Sequence, residues 1–117
     1  MKNKIEKFED ILAWQEARTL VKLIYVEFRS CRDFGFKDQI QRAVISIMNN
    51  IAEGYERKGN KEFAKFLYIS KGSCAEVRSM VYVALDLNYI DENKSQELQD
   101  KADKISRMLS NLIRALA

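Results

Sequence analysis

Five polar residues in the middle of the chain, Gln39, Arg42, Ser46, Asn50 and Glu53, follow one another at spacings of three, four, four and three. On an α-helix that spacing sets them on one face, flush against an apolar line of Ile40, Val44, Ile47 and Ile51. A guanidinium, a carboxylate, two amides and a hydroxyl in a row can pair charges, share hydrogen bonds or grip a polar ligand. Ser73 and Glu76, on a later helical stretch, are candidate partners. One reading is an internal network in which Arg42 and Glu53 satisfy one another, or satisfy Ser73 and Glu76, because ionic residues near a core need partners. The other is a face that meets another subunit or a ligand.

A second set is basic. Arg57, Lys58, Lys61 and Lys65 cluster around one turn, diluted by Glu56 and Glu62. The bland reading is a solvated turn. The sharper one is contact with phosphates, strengthened if an oligomer repeats the patch. Lys101, Lys104, Arg107 and Arg114 form another strip, interleaved with Asp100 and Asp103, and Lys2, Lys4 and Lys7 could extend either as an arm. The aromatics Tyr25, Phe63, Phe66, Tyr68, Tyr82 and Tyr89 fall mostly on helical spacings and read as core or interface rather than stacking platforms.

The missing residue types exclude much chemistry. The 117 residues contain no His, so neither a Ser-His-Asp triad nor a histidine-ligated metal can form. Cys31 and Cys74 are too few and too far apart for a four-cysteine site or a disulfide framework, and Cys74 lies in an apolar row as an inert thiol. Ser46 and Ser73 have no adjacent base. The expectation is therefore a non-enzymatic protein without cofactor or metal. With 20 Lys and Arg against 17 Asp and Glu, the net charge of +3 points only weakly to nucleic acid. No apolar run could span a bilayer, and residues 1–7 lack the apolar core of a secretory signal, which makes the cytoplasm the expected compartment.

Positioning these residues falls to helices. No Pro interrupts the chain, and apolar residues recur at three and four through four stretches, expected at about 9–29, 37–57, 61–88 and 92–116. Phe34 and Phe36 are expected in the first connection, folding back onto a core end. Gly59 suits a left-handed cap, Asn60 and Asp91 suit N-caps, and Gly72 suggests a close helix approach. Short connections between long helices make antiparallel neighbours, so the expected fold is an all-α, up-down-up-down four-helix bundle forming a single domain over residues 1–117.

The chain resembles a known family. The residues that carry the likeness are Phe8 through Trp14, Gln39-x-x-Arg42-Ala43, Ser46-Ile47-x-x-Asn50-Ile51-Ala52-Glu53-Gly54, Glu62-Phe63-x-x-Phe66-Leu67, Gly72-Ser73-x-x-Glu76 and Leu87-Asn88-Tyr89-Ile90. They resemble the bacterial four-helix bundle proteins encoded in intervening sequences of large-subunit ribosomal RNA genes. The resemblance implies a homo-oligomer, a pentamer; with the basic clusters and the absence of catalytic groups, the expected function is binding, to RNA or a nucleoprotein complex. The same family includes accessory variability determinants of diversity-generating retroelements, which resemble basic barrels that bind nucleic acid and a reverse transcriptase. The alternative expectation is a protein-binding scaffold or accessory subunit such as a reverse-transcriptase partner, against which the charge of only +3 counts. Met48 stands where that family usually has Pro, and the first connection also lacks one, so the second helix should run without a local kink.

Overall fold

In the computed structural model, which describes residues 4–117, a 3₁₀ turn over Phe8–Asp10 leads into four helices. These are α1 (Leu12–Glu27), α2 (Phe34–Tyr55), α3 (Asn60–Asp86) and α4 (Glu92–Leu116). Each helix packs on its sequence neighbours and α1 closes the ring against α4, while α1 and α3 lie on one diagonal and α2 and α4 on the other.

Residue pairings fix the directions. Ser73 meets Ser46 and Ser70 meets Ile47, so one partner's number rises as the other falls along α2 and α3. Lys71 with Ser110 and Arg78 with Gln99 give the same sense for α3 and α4. Glu16 with Lys104 and Glu27 with Lys94 do so for α1 and α4. The bundle therefore runs up-down-up-down, as the short connections predicted. Its long dimension, 43 Å, is the length of α3, about 40 Å for 27 residues at 1.5 Å each.

The apolar lines read from the sequence meet along the axis. Ile40, Val44, Ile47 and Ile51 of α2 are fully buried with Leu20 and Ile24 of α1, Leu67 and Val77 of α3, and Leu98 and Leu109 of α4. Cys74 lies among them, and burial pushes its thiol up to about 12, which leaves little thiolate at neutral pH.

Local details differ from expectation at four points. The second helix starts three residues early, at Phe34, because the Asp33 carboxylate accepts a hydrogen bond from the Phe36 amide at 3.2 Å and caps it. Phe36 then plugs the core between Phe28 and Tyr89, each ring edge-on at 5.3 Å, whereas Phe34 is 70% exposed. Gly59 has φ 84° but ψ 156°, outside the left-handed helical well, and it is itself the residue before α3; Asn60 is the helix's first residue rather than its cap. The close approach lies at Gly54, not Gly72. A Cβ on Gly54 would stand 2.5 Å from Phe66 Cβ, whereas one on Gly72 would meet nothing within 4 Å.

One end of the bundle is tied by Tyr89, whose hydroxyl donates to Asp33 Oδ2 at 2.6 Å and joins the turn after α3 to the start of α2. That bond holds Asp33 below the usual carboxylate range and pushes Tyr89 up to about 12. The stabilisation from Asp33 is present above the unfolded carboxylate value, about 3.9, and disappears as pH falls through the lower folded value. The stabilisation from Tyr89 is present below about 10 and disappears as pH rises through the folded value. The melting-temperature gap between the wild type and Tyr89→Phe is expected to be flat between about pH 5 and 9 and to narrow beyond both limits; an unchanged gap at pH 3 and 11.5 would refute the coupling.

Candidate functional site

The polar row of α2 divides into two parts. Its inner members close on the third helix. Ser73 Oγ donates to Ser46 Oγ at 2.9 Å, and Asn50 Nδ2 donates to Ser46 Oγ at 2.9 Å and to the Ser46 carbonyl at 2.8 Å. Fully buried Ser70 donates to the Ile47 carbonyl at 2.7 Å. Among the described residues no buried side-chain nitrogen or oxygen lacks a partner. These groups are spent within the chain, holding α2 in register with α3.

The outer members face water. Arg42 does not pair with Glu53, Ser73 or Glu76; its side chain is 80% exposed and its Nε contacts Asp38 Oδ2 at 3.2 Å, one turn back on α2. Glu53 is exposed and forms no ion pair among the described residues. Gln39 reaches across to Glu76 Oε2 at 3.3 Å, with both side chains at the surface. The reason is geometric. A carboxylate four residues away costs a guanidinium no dehydration, whereas reaching the core edge would.

The Asn50-to-Gly54 stretch is explained by the same contact. Gly54 lets the end of α2 press onto Phe63 and Phe66 near the start of α3. Arg57 then lays its guanidinium over the Phe66 ring at 4.9 Å, which fixes one member of the basic turn. Lys65 leans toward Glu62 at 3.6 Å, while Lys58 and Lys61 project into solvent without an ion pair among the described residues. The turn thus offers two unneutralised ammonium groups beside an anchored guanidinium. The α4 strip is more occupied: Lys104 pairs with Glu16 and Arg107 with Asp103, and Arg114 bonds Asn111. Lys4 and Lys7 are exposed, and Lys2 lies outside the described residues.

The least expected surface is the outer side of α3. Tyr68, Ile69, Tyr82 and Val83 stand 41–61% exposed, with the small Gly72, Ala75 and Ser79 between them. Tyr68 and Tyr82 share one side with Ala75 and Ser79, and Ile69 and Val83 flank it at helical spacing. Along the Tyr68–Tyr82 line the face is a shallow saddle, bulky at both ends and small between, and exposed Glu76 stands between Ile69 and Val83 on its flank. It carries apolar area that nothing among the described residues covers.

A family model for the 23S rRNA-intervening sequence protein matches residues 9–111. The chain belongs to that family. No curated protein matches it. This member of the 23S rRNA-intervening sequence family is similar in fold to a crystal structure from Bacteroides thetaiotaomicron, a protein with unknown function from the S23 ribosomal protein family. The TM-score is 0.76 at 21% identity, over 86% of this chain and 94% of that one. The family's matched span takes in the α2–α3 seam, the Gly54 contact and the basic turn. No helix among the described residues is long and apolar enough to cross a membrane.

Three features escaped the sequence reading. Asp38 was the missing partner of Arg42 and could have been found by counting back one helical turn. Ser70 stands at a core-facing spacing of α3 and bonds a backbone carbonyl, which periodicity does not reveal. Gly54 and Gly72 look alike in sequence, and only the register between α2 and α3 separates them.

Proposed function

We propose that this protein works by binding rather than by bond-making, as a homo-oligomer whose α3 faces join and whose basic turns meet RNA or a nucleoprotein complex. The reading rests above all on the exposed saddle of Tyr68, Ile69, Tyr82 and Val83. Apolar area of this kind, rimmed by polar residues such as Glu76 and Asp86, belongs at a protein–protein contact. Repeating Lys58 and Lys61 in every subunit would turn a weak phosphate site into an avid one. The pentameric number comes from the family resemblance.

A second reading, a protein-binding scaffold or accessory subunit such as a reverse-transcriptase partner, is favoured by a different surface. Ile5, Ile11, Leu12, Met108 and Leu112 line an open, largely apolar groove of about 430 Å³ at the edge between α1 and α4. Copurification with and without nuclease, followed by elution in rising salt, separates the two. RNA that is retained at low salt, protected from nuclease and released by salt supports the first reading. A particle that carries protein partners only, indifferent to salt, supports the second.

A further inference from the structure

The outer face of α1 carries a line of residues that no function above uses. Trp14, Arg18, Lys22 and Tyr25 follow at spacings of four, four and three, which keeps them on one side of the helix, and Arg29 follows in the turn just after Glu27. Arg18, Lys22 and Arg29 are exposed and, among the described residues, pair with no carboxylate. Both acids within α1 are turned to the other side, Glu16 toward Lys104 and Glu27 toward Lys94, each at 3.6 Å. Folding thus separates charges that the linear sequence mixes.

The line is prepared at both ends. At one, the Arg18 guanidinium lies over the Trp14 ring at 5.8 Å, and Phe8 packs edge-on against the same ring at 5.3 Å. At the other, Lys37 Nζ donates to the Arg29 carbonyl at 2.8 Å, adding a fourth cation from the first turn of α2. A shallow groove lined by Trp14, Gln15, Arg18, Thr19 and Lys22 runs beside it, with Glu9 as its one acid. From Arg18 to Tyr25 the line covers about 10 Å of helix, and Arg29 continues it from the turn.

We infer that this face of α1 is a docking surface for single-stranded RNA, with Arg18, Lys22 and Arg29 on successive phosphates and the half-exposed Tyr25 ring stacking on a base. Cations in one row interleaved with aromatics fit a strand that exposes both phosphates and base faces. A duplex hides its bases, and an acidic peptide has no use for the rings. Because α1 and α3 lie on one diagonal of the bundle, subunits joined through α3 would leave this line facing outward. The inference rests on the nucleic-acid reading above and gives it a second surface.

The test is binding of a labelled 12-nucleotide oligouridine to the full chain between 50 and 200 mM salt. Arg18→Gln/Lys22→Gln/Arg29→Gln, with helicity checked by circular dichroism, is expected to lose at least tenfold in affinity. The salt slope should fall by about 2, from three single-strand phosphate contacts at about 0.7 each. Tyr25→Ala is expected to lose about tenfold with the slope unchanged. If the triple variant binds like the wild type while Lys58→Gln/Lys61→Gln does not, the α1 surface is refuted and the basic turn stands. If the wild type fails to bind at 50 mM salt, both RNA surfaces fall. Equal affinity for an RNA duplex or for polyglutamate would overturn the single-stranded occupant.

Discussion

Replacing Ile47 with alanine is expected to cost the bundle about 2–5 kcal/mol, a large share of the 5–15 kcal/mol typical of a domain. Ile47 sits at the middle of α2 with no exposed surface. Its neighbours are held by long helices that cannot slide inward independently, so the cavity would collapse only in part. The Ser70 hydroxyl bonds the Ile47 backbone carbonyl, which the substitution retains. The loss is therefore one of packing, not of a hydrogen bond. Urea unfolding should show a lower midpoint with an unchanged slope. A loss below about 1 kcal/mol would mean that α2 does not face the core at this position.

Gly54→Ala tests the α2–α3 contact with a sign as well as a size. Helix propensity alone favours alanine by about 1 kcal/mol. Steric conflict opposes it, because the new methyl would stand 2.5 Å from Phe66 Cβ and 3.1 Å from Phe63 Cδ1. Phe66 Cβ is attached directly to the backbone and cannot swing aside, so the helices must part. The expected net result is a loss of about 1–3 kcal/mol. Gly72→Ala is the matched control. It has open space and an ordinary helical backbone, so the isolated chain should gain up to about 1 kcal/mol. Chemical denaturation of both variants decides the matter: opposite signs support the contact, and a gain at both positions rules it out.

The four helices could be read from the sequence because burial in a bundle follows one period. Ile40, Val44, Ile47 and Ile51 are fully buried in the structure, and nothing but the three-four spacing was needed to find them. Helix ends depended on side-chain caps. Asp33 draws Phe34 into α2, a local hydrogen bond outweighing an apparent loop composition. The polar row was half legible. Ser46, Asn50 and Ser73 do form a seam, but Arg42 finds Asp38 on its own helix. Close approach depends on how two helices register, so glycine spacing could not distinguish Gly54 from Gly72. The α1 line carried a visible period, yet Glu16 and Glu27 masked it until α4 drew them aside.

If α3 joins subunits, then the Lys58 and Lys61 turns and the α1 cations are all multiplied on a single particle, and weak contacts gain strength from number. Sedimentation equilibrium of the wild type beside Ile69→Glu/Tyr82→Glu measures this directly. The expected wild-type mass is two or more times 13.7 kDa, in whole multiples, and the variant should be helical, folded and sediment as the single chain. A wild type of 13.7 kDa at every concentration, or a doubly charged variant that assembles undiminished, would contradict assembly through α3.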